Sequence, residues 1–187
     1  MNTQTKIRFS VLTGMILFAA LSRLIPHPPN FTPIAAMALL GGAYFLNKKW
    51  AFAVPLLAMA LSDMGLVFIM NYEFFTPMRI VIYTCFILIT LIGFLLRSRV
   101  KLLNVVVASL SASILFFIIT NFAVWAVGKD NLYPMNISGL IECYITAIPF
   151  FRNMLIGDLF YVGVLFGSFE WAKYRFPLLK MSKIATR

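Results

Sequence analysis

The residue with the most chemical consequence is Asp158, set in "FRNMLIGDLFYVG" (Phe151–Gly163) between apolar and aromatic neighbours. A carboxylate near the middle of a bilayer costs about 2.5–3.5 kcal/mol even on the lowest insertion scales, so it must face protein or water. Two roles are open to it. It is braced internally, accepting hydrogen bonds from Asn121, Tyr161 or a neighbouring hydroxyl, or it lines the floor of a ligand cavity or a proton-linked path. Asp63, in "LLAMALSDMG" (Leu56–Gly65), is a second carboxylate in an apolar run, and Arg79 stands across the connection "VFIMNYEFFTPMR" (Val67–Arg79) from it. These two can pair as a structural clasp or act as ligand contacts. Asn121 and Trp125 sit one helical turn apart in "FFIITNFAVWAVG" (Phe116–Gly128), which puts both on one face.

Further candidates lie in the connections. "SRLIPHPPNFTP" (Ser22–Pro33) carries Arg23, His27 and Asn30, and "KDNLYPMNISGLIECYITAIPF" (Lys129–Phe150) carries Glu142. Trp125, Tyr133, Tyr144 and Tyr161 offer rings for a planar ligand. Cys85, in "RIVIYTCFILIT" (Arg79–Thr90), is either a small packing residue or a soft ligand for a metal such as cobalt or copper. One sulfur is not a metal site, and His27 is the only histidine. There is no phosphate loop, dinucleotide fingerprint, HExxH or GxSxG pattern, so the expectation is a chain that is not an enzyme, with no resident cofactor or metal.

The elements that must position these residues are membrane helices. Of 187 residues 61% are hydrophobic and 12% charged, with 19 phenylalanines, and the mean hydropathy is +0.91. No soluble domain of this size could clothe itself in water with such a composition. Apolar runs predict a single all-α membrane domain over 1–187, with six helices at about 8–24, 31–46, 51–70, 78–96, 104–127 and 149–170. A short interfacial helix is expected around Leu140–Ile145, and a basic tail over 171–187. The second span is short, as a re-entrant or tightly packed segment would be.

Charge placement sets the orientation. With six spans, Lys6, Arg8, Lys48, Lys49, Arg97, Arg99, Lys101, Lys173, Arg175, Lys180, Lys183 and Arg187 share one side. Only Arg23, Arg79, Lys129 and Arg152 fall on the other, so both termini are expected in the cytoplasm of a bacterial inner-membrane protein. The net charge of +10 then reflects contact with an anionic leaflet of the lipid bilayer, and no nucleic-acid partner is expected.

The prolines of Ser22–Pro33 make a rigid outward connection, either a simple stop-and-restart signal or a rim over an outward pocket. Small residues follow one face of several spans and allow close helix approach, among them Ala35, Ala38 and Gly42. Gly14, Ala19 and Ala20 in the first span serve either internal packing or docking to another membrane protein.

Several stretches together resemble a bacterial membrane-protein family of unknown function that carries a transport-protein label. They are "SRLIPHPPNFTPIAAMALLGGAYF", "PLLAMALSDMGL", "FFIITNFAVW", "YPMNISGLIECYITAIPFFRNMLIGDLFY" and "LFGSFE". More distantly, length, span number and inward termini look like the S component of energy-coupling-factor vitamin transporters, especially the solitary cobalamin-binding type. That resemblance implies an outward substrate pocket for a vitamin-like solute. It also implies docking through Gly14, Ala19 and Ala20 to a transmembrane coupling subunit with ATPases, and a corrinoid substrate with Cys85 toward the cobalt. The expected function is small-molecule uptake; the alternative is a non-transporting accessory or assembly protein of the inner membrane.

Overall fold

The computed structural model describes residues 3–70, 73, 75–127 and 132–180. Lys129, Lys183 and Arg187, together with the tail beyond Lys180, lie outside the described residues. Within them the fold is all-α: α1 (Thr3–Ser22), α2 (Ile34–Tyr44), α3 (Lys48–Met70), α4 (Pro77–Leu95), α5 (Leu102–Val127) and α6 (Ile137–Arg175), closed by a 3₁₀ turn at Pro177–Leu179. Five of the six helices are long and apolar enough to cross a membrane, and α2 is not.

α2 is the centre of the bundle. Its 11 residues rise about 16 Å, roughly half of the hydrocarbon thickness. Its sequence "IAAMALLGGAY" has no polar face, so it is stable only where protein surrounds it. Every residue from Ala35 to Tyr44 is buried, and α1, α3, α4, α5 and α6 all pack against it.

Close approach comes from glycine. A Cβ on Gly42 would lie 2.4 Å from the Thr90 carbonyl oxygen and 2.8 Å from the Gly93 Cα, so α2 and α4 meet backbone to backbone. The Gly42 and Phe45 carbonyls, left open at the end of α2, each accept from Arg97 at 2.9 Å. Arg8 donates to the Tyr44 carbonyl at 3.1 Å and to the Leu179 carbonyl at 2.8 Å, which ties α1 to the closing turn. The first and last described segments therefore meet at one end of the bundle.

α6 departs most from the sequence expectation. The short helix near 140–145 and the last span form one helix of 39 residues that runs through Pro149. A proline removes one hydrogen bond but is tolerated in a membrane helix held by neighbours. Asn136 starts it, its side chain accepting from the Gly139 N–H at 2.9 Å. The segment expected as tail from 171 remains helical to Arg175.

Candidate functional site

Arg23, Asn30, Asp63, Arg79 and Asp158, polar side chains of the expected outer half, line one cavity of about 240 Å³. α2 opens onto it at Ile34 and Ala35, with Asn30 and Thr32 from the preceding connection. α3 contributes Asp63, α4 Arg79, and α6 Met154 and Asp158, while Arg23 enters from the end of α1. The connection is seated firmly: a Cβ on Gly157 of α6 would lie 3.0 Å from the Phe31 Cα. The Phe31 ring packs 5.7 Å from Phe160 and from Tyr161. Asn30 turns the chain there with φ of 62°, a left-handed conformation that asparagine accepts more readily than most residues.

One wall is an ion-paired network. Arg23 Nη2 lies 2.8 Å from Asp63 Oδ1, both side chains being buried. Arg23 Nη1 donates to Ser62 Oγ at 2.5 Å. Tyr83 donates its hydroxyl to Asp63 Oδ2 at 3.1 Å, and Arg79 Nε approaches the same oxygen at 3.8 Å. Two guanidinium groups thus share one carboxylate at the cavity edge. The pairing of Asp63 with Arg79 suggested by their spacing is present, but Arg23 is the closer partner.

Asp158 occupies the opposite wall, 3% exposed. Its Oδ2 accepts from Ser113 of α5 at 2.6 Å, and the same hydroxyl lies 3.0 Å from the Ser109 carbonyl. Among the described residues no cation comes within ion-pair distance of Asp158, which sets it apart from Asp63.

The other sequence candidates lie elsewhere. Asn121 donates to the Phe117 carbonyl of its own helix at 2.8 Å, and Trp125 donates to the Pro134 carbonyl at 3.0 Å, fastening the connection before α6. Tyr161 pairs with the Ser22 hydroxyl at 3.1 Å and supports the wall from behind. His27 Nδ1 sits 3.1 Å from the Pro28 carbonyl, and Glu142 is exposed on the first turns of α6. Cys85 is fully buried in α4 and is not among the lining residues. Replacing it by serine is therefore expected to leave solute binding at this cavity unchanged, measured as ligand-dependent melting; altered corrinoid binding would return it to a ligand role. Ala19 and Ala20 are buried within the bundle, which leaves Gly14 alone of the expected docking face on the surface.

Sequence reading missed Met154 as a lining residue and Ser113 as the partner of Asp158. Ser113 carried a usable signal, since Ser109 and Ser113 stand one turn apart on one face of a mostly apolar helix; both are fully buried.

A family model described as "Family of unknown function (DUF6580)" matches residues 3–179. No curated protein and no solved structure matches.

Proposed function

This chain belongs to DUF6580, a family of unknown function, and we propose that it is the substrate-binding membrane component of a small-molecule uptake system. The observation that carries the reading is the convergence of Arg23, Asp63, Arg79 and Asp158 on one cavity of about 240 Å³. Ionisable groups at membrane depth are rare and mark ligand or ion paths when they face a shared opening. A broken span places a helix start at such a site, and the positive end of α2, which no side chain caps, favours an anionic part of the solute.

The substrate on this reading is a small polar solute taken from the outer side. The cavity is smaller than the 300–1,000 Å³ typical of drug-sized ligands, and a corrinoid is larger than those. With Cys85 outside the lining, a compact vitamin-like solute fits better than a corrinoid. Binding and passage, rather than catalysis, are the proposed work. Both termini belong in the cytoplasm of a bacterial inner membrane, which is supported by Lys6, Arg8, Arg97, Arg99, Lys101 and Lys173 at the end where α1 begins and α6 finishes. Energy comes from a coupling subunit with ATPases or, through Asp158, from protons.

Asp158→Asn tests the reading. It keeps size and one acceptor but removes the charge, and the protein should still insert. Hydrogen bonds to charged groups contribute about 1.5–3 kcal/mol, so solute affinity should fall about 10–100-fold. Thermal melting of the purified protein across a vitamin and small-solute panel reads this directly. A lower melting temperature with uptake intact would make Asp158 a brace, and no stabilisation by any solute would favour the accessory-protein reading.

A further inference from the structure

A second opening lies at the opposite end of the bundle, where the first and last segments meet. It has a volume of about 450 Å³ and is lined by Arg8, Tyr44, Arg97, Ser98, Glu170 and Lys173, among others. Three cations face it against one carboxylate. Glu170 is already engaged, by Lys173 at 2.7 and 2.8 Å and by the Tyr44 hydroxyl. Arg8, 7% exposed, donates only to backbone carbonyls, and among the described residues no carboxylate lies within ion-pair distance of Arg8 or Arg97.

The end of α2 accounts for part of this positive charge, since its terminal carbonyls carry roughly half a negative charge. Among the described residues Glu170 is the one carboxylate beside the three cations, and it is already paired with Lys173. Partial burial also holds the Arg97 guanidinium below the ordinary arginine value, a desolvation that an anion would offset. The depth is marked independently: Trp171 and Tyr174, on the last turns of α6, are 65% and 81% exposed, as aromatic side chains at a headgroup boundary are.

We propose that this opening binds a phosphate group, that of an anionic phospholipid headgroup or free phosphate, between Arg97, Lys173 and Arg8. The three come from the starts and ends of α1, α4 and α6, so one bound phosphate fastens elements that are distant in sequence. Basic openings between membrane helices hold anionic headgroups in this way.

Native mass spectrometry of the full chain in a non-ionic detergent tests it, with phosphatidylglycerol and phosphatidylcholine added at equal concentration. Phosphatidylglycerol should be retained in preference. Arg97→Gln and Lys173→Gln should each lower its retention about fivefold. Ser98→Glu, at an exposed position with no side-chain hydrogen bond of its own to lose, adds a negative charge and should abolish the preference even if the arginine variant folds poorly. The double variant Lys48→Gln/Lys49→Gln, at the same end but outside the lining, should leave it unchanged. Adducts of inorganic phosphate that displace the lipid and vanish in the same variants would support the site with free phosphate as its occupant. Equal retention of both lipids without phosphate adducts would overturn it, as would an equal loss in the Lys48/Lys49 variant.

Discussion

Asp63→Ala should lower the stability of the folded bundle by about 3–5 kcal/mol, the largest effect expected of any truncation around the outer cavity. Asp63 is 4% exposed and faces the guanidinium of Arg23, itself 9% exposed, at 2.8 Å. Removing the carboxylate strands that cation among Met59, Ser62 and apolar walls, with Ser62 and a 3.5 Å contact to the Met59 carbonyl as its remaining partners. Tyr83 loses its acceptor at the same time. Removing both charges has a different consequence, because an apolar pair of similar volume carries no desolvation cost. Arg23→Met combined with Asp63→Leu should therefore recover most of that loss, the remainder being the contacts that Tyr83 and Arg79 no longer make with Asp63. Reversible unfolding in mixed micelles, followed by tryptophan fluorescence, measures both. The double variant also separates clasp from contact. If it is stable and still shows solute-dependent melting, the Arg23–Asp63 pair is purely structural; if it is stable and has lost that response, the pair touches the solute. A loss below about 1 kcal/mol in Asp63→Ala would mean that water reaches Arg23 and that the network does not hold the wall.

This network shows how far sequence could go. Long apolar runs announce α1, α3, α4 and α5 because lipid imposes length and composition together. The buried carboxylates stood out for the same reason: Asp63 and Asp158 are costly in hydrocarbon and must find company. Which company they find depends on helix rotation and tilt, and neither is written in hydropathy. Asn121, Tyr161 or a neighbouring hydroxyl was the expected donor to Asp158; Asn121 bonds to its own helix, and the hydroxyl of Ser113, an inconspicuous residue able to sit on any face, fills that role. Arg23 lies 40 positions from Asp63 and reaches it because α1 and α3 pack directly against each other. Pro149 misled in the other direction. It stands where the last span was expected to begin, apart from a short helix around Leu140–Ile145, whereas packing against neighbours carries one helix through it.

The shortness of α2 leads to the second large effect, at Gly42. Gly42→Ala should destabilise the bundle by about 3 kcal/mol or more, and Gly42→Leu should prevent accumulation of the folded protein. Overfilling a packed interior typically costs about 1–3 kcal/mol when side chains can adjust. Here the clashing atoms are the Thr90 carbonyl oxygen at 2.4 Å and the Gly93 backbone at 2.8 and 2.9 Å, so relief requires α2 and α4 to move apart as whole helices. Such a shift pulls the Gly42 carbonyl from Arg97 and, because α2 is rigid, moves Ile34 and Ala35 at its other end. Solute binding at the outer cavity should therefore weaken along with stability, although Gly42 lines no part of it. Gly14 is the control: nothing lies within 4 Å of its added Cβ, and alanine there should be neutral or stabilising by up to about 1 kcal/mol from helix propensity. Melting of Gly42→Ala beside Gly14→Ala in one detergent tests the claim. Equal melting temperatures would mean that α2 is free to shift, and a central helix free to shift could not fix the geometry of the polar wall above it.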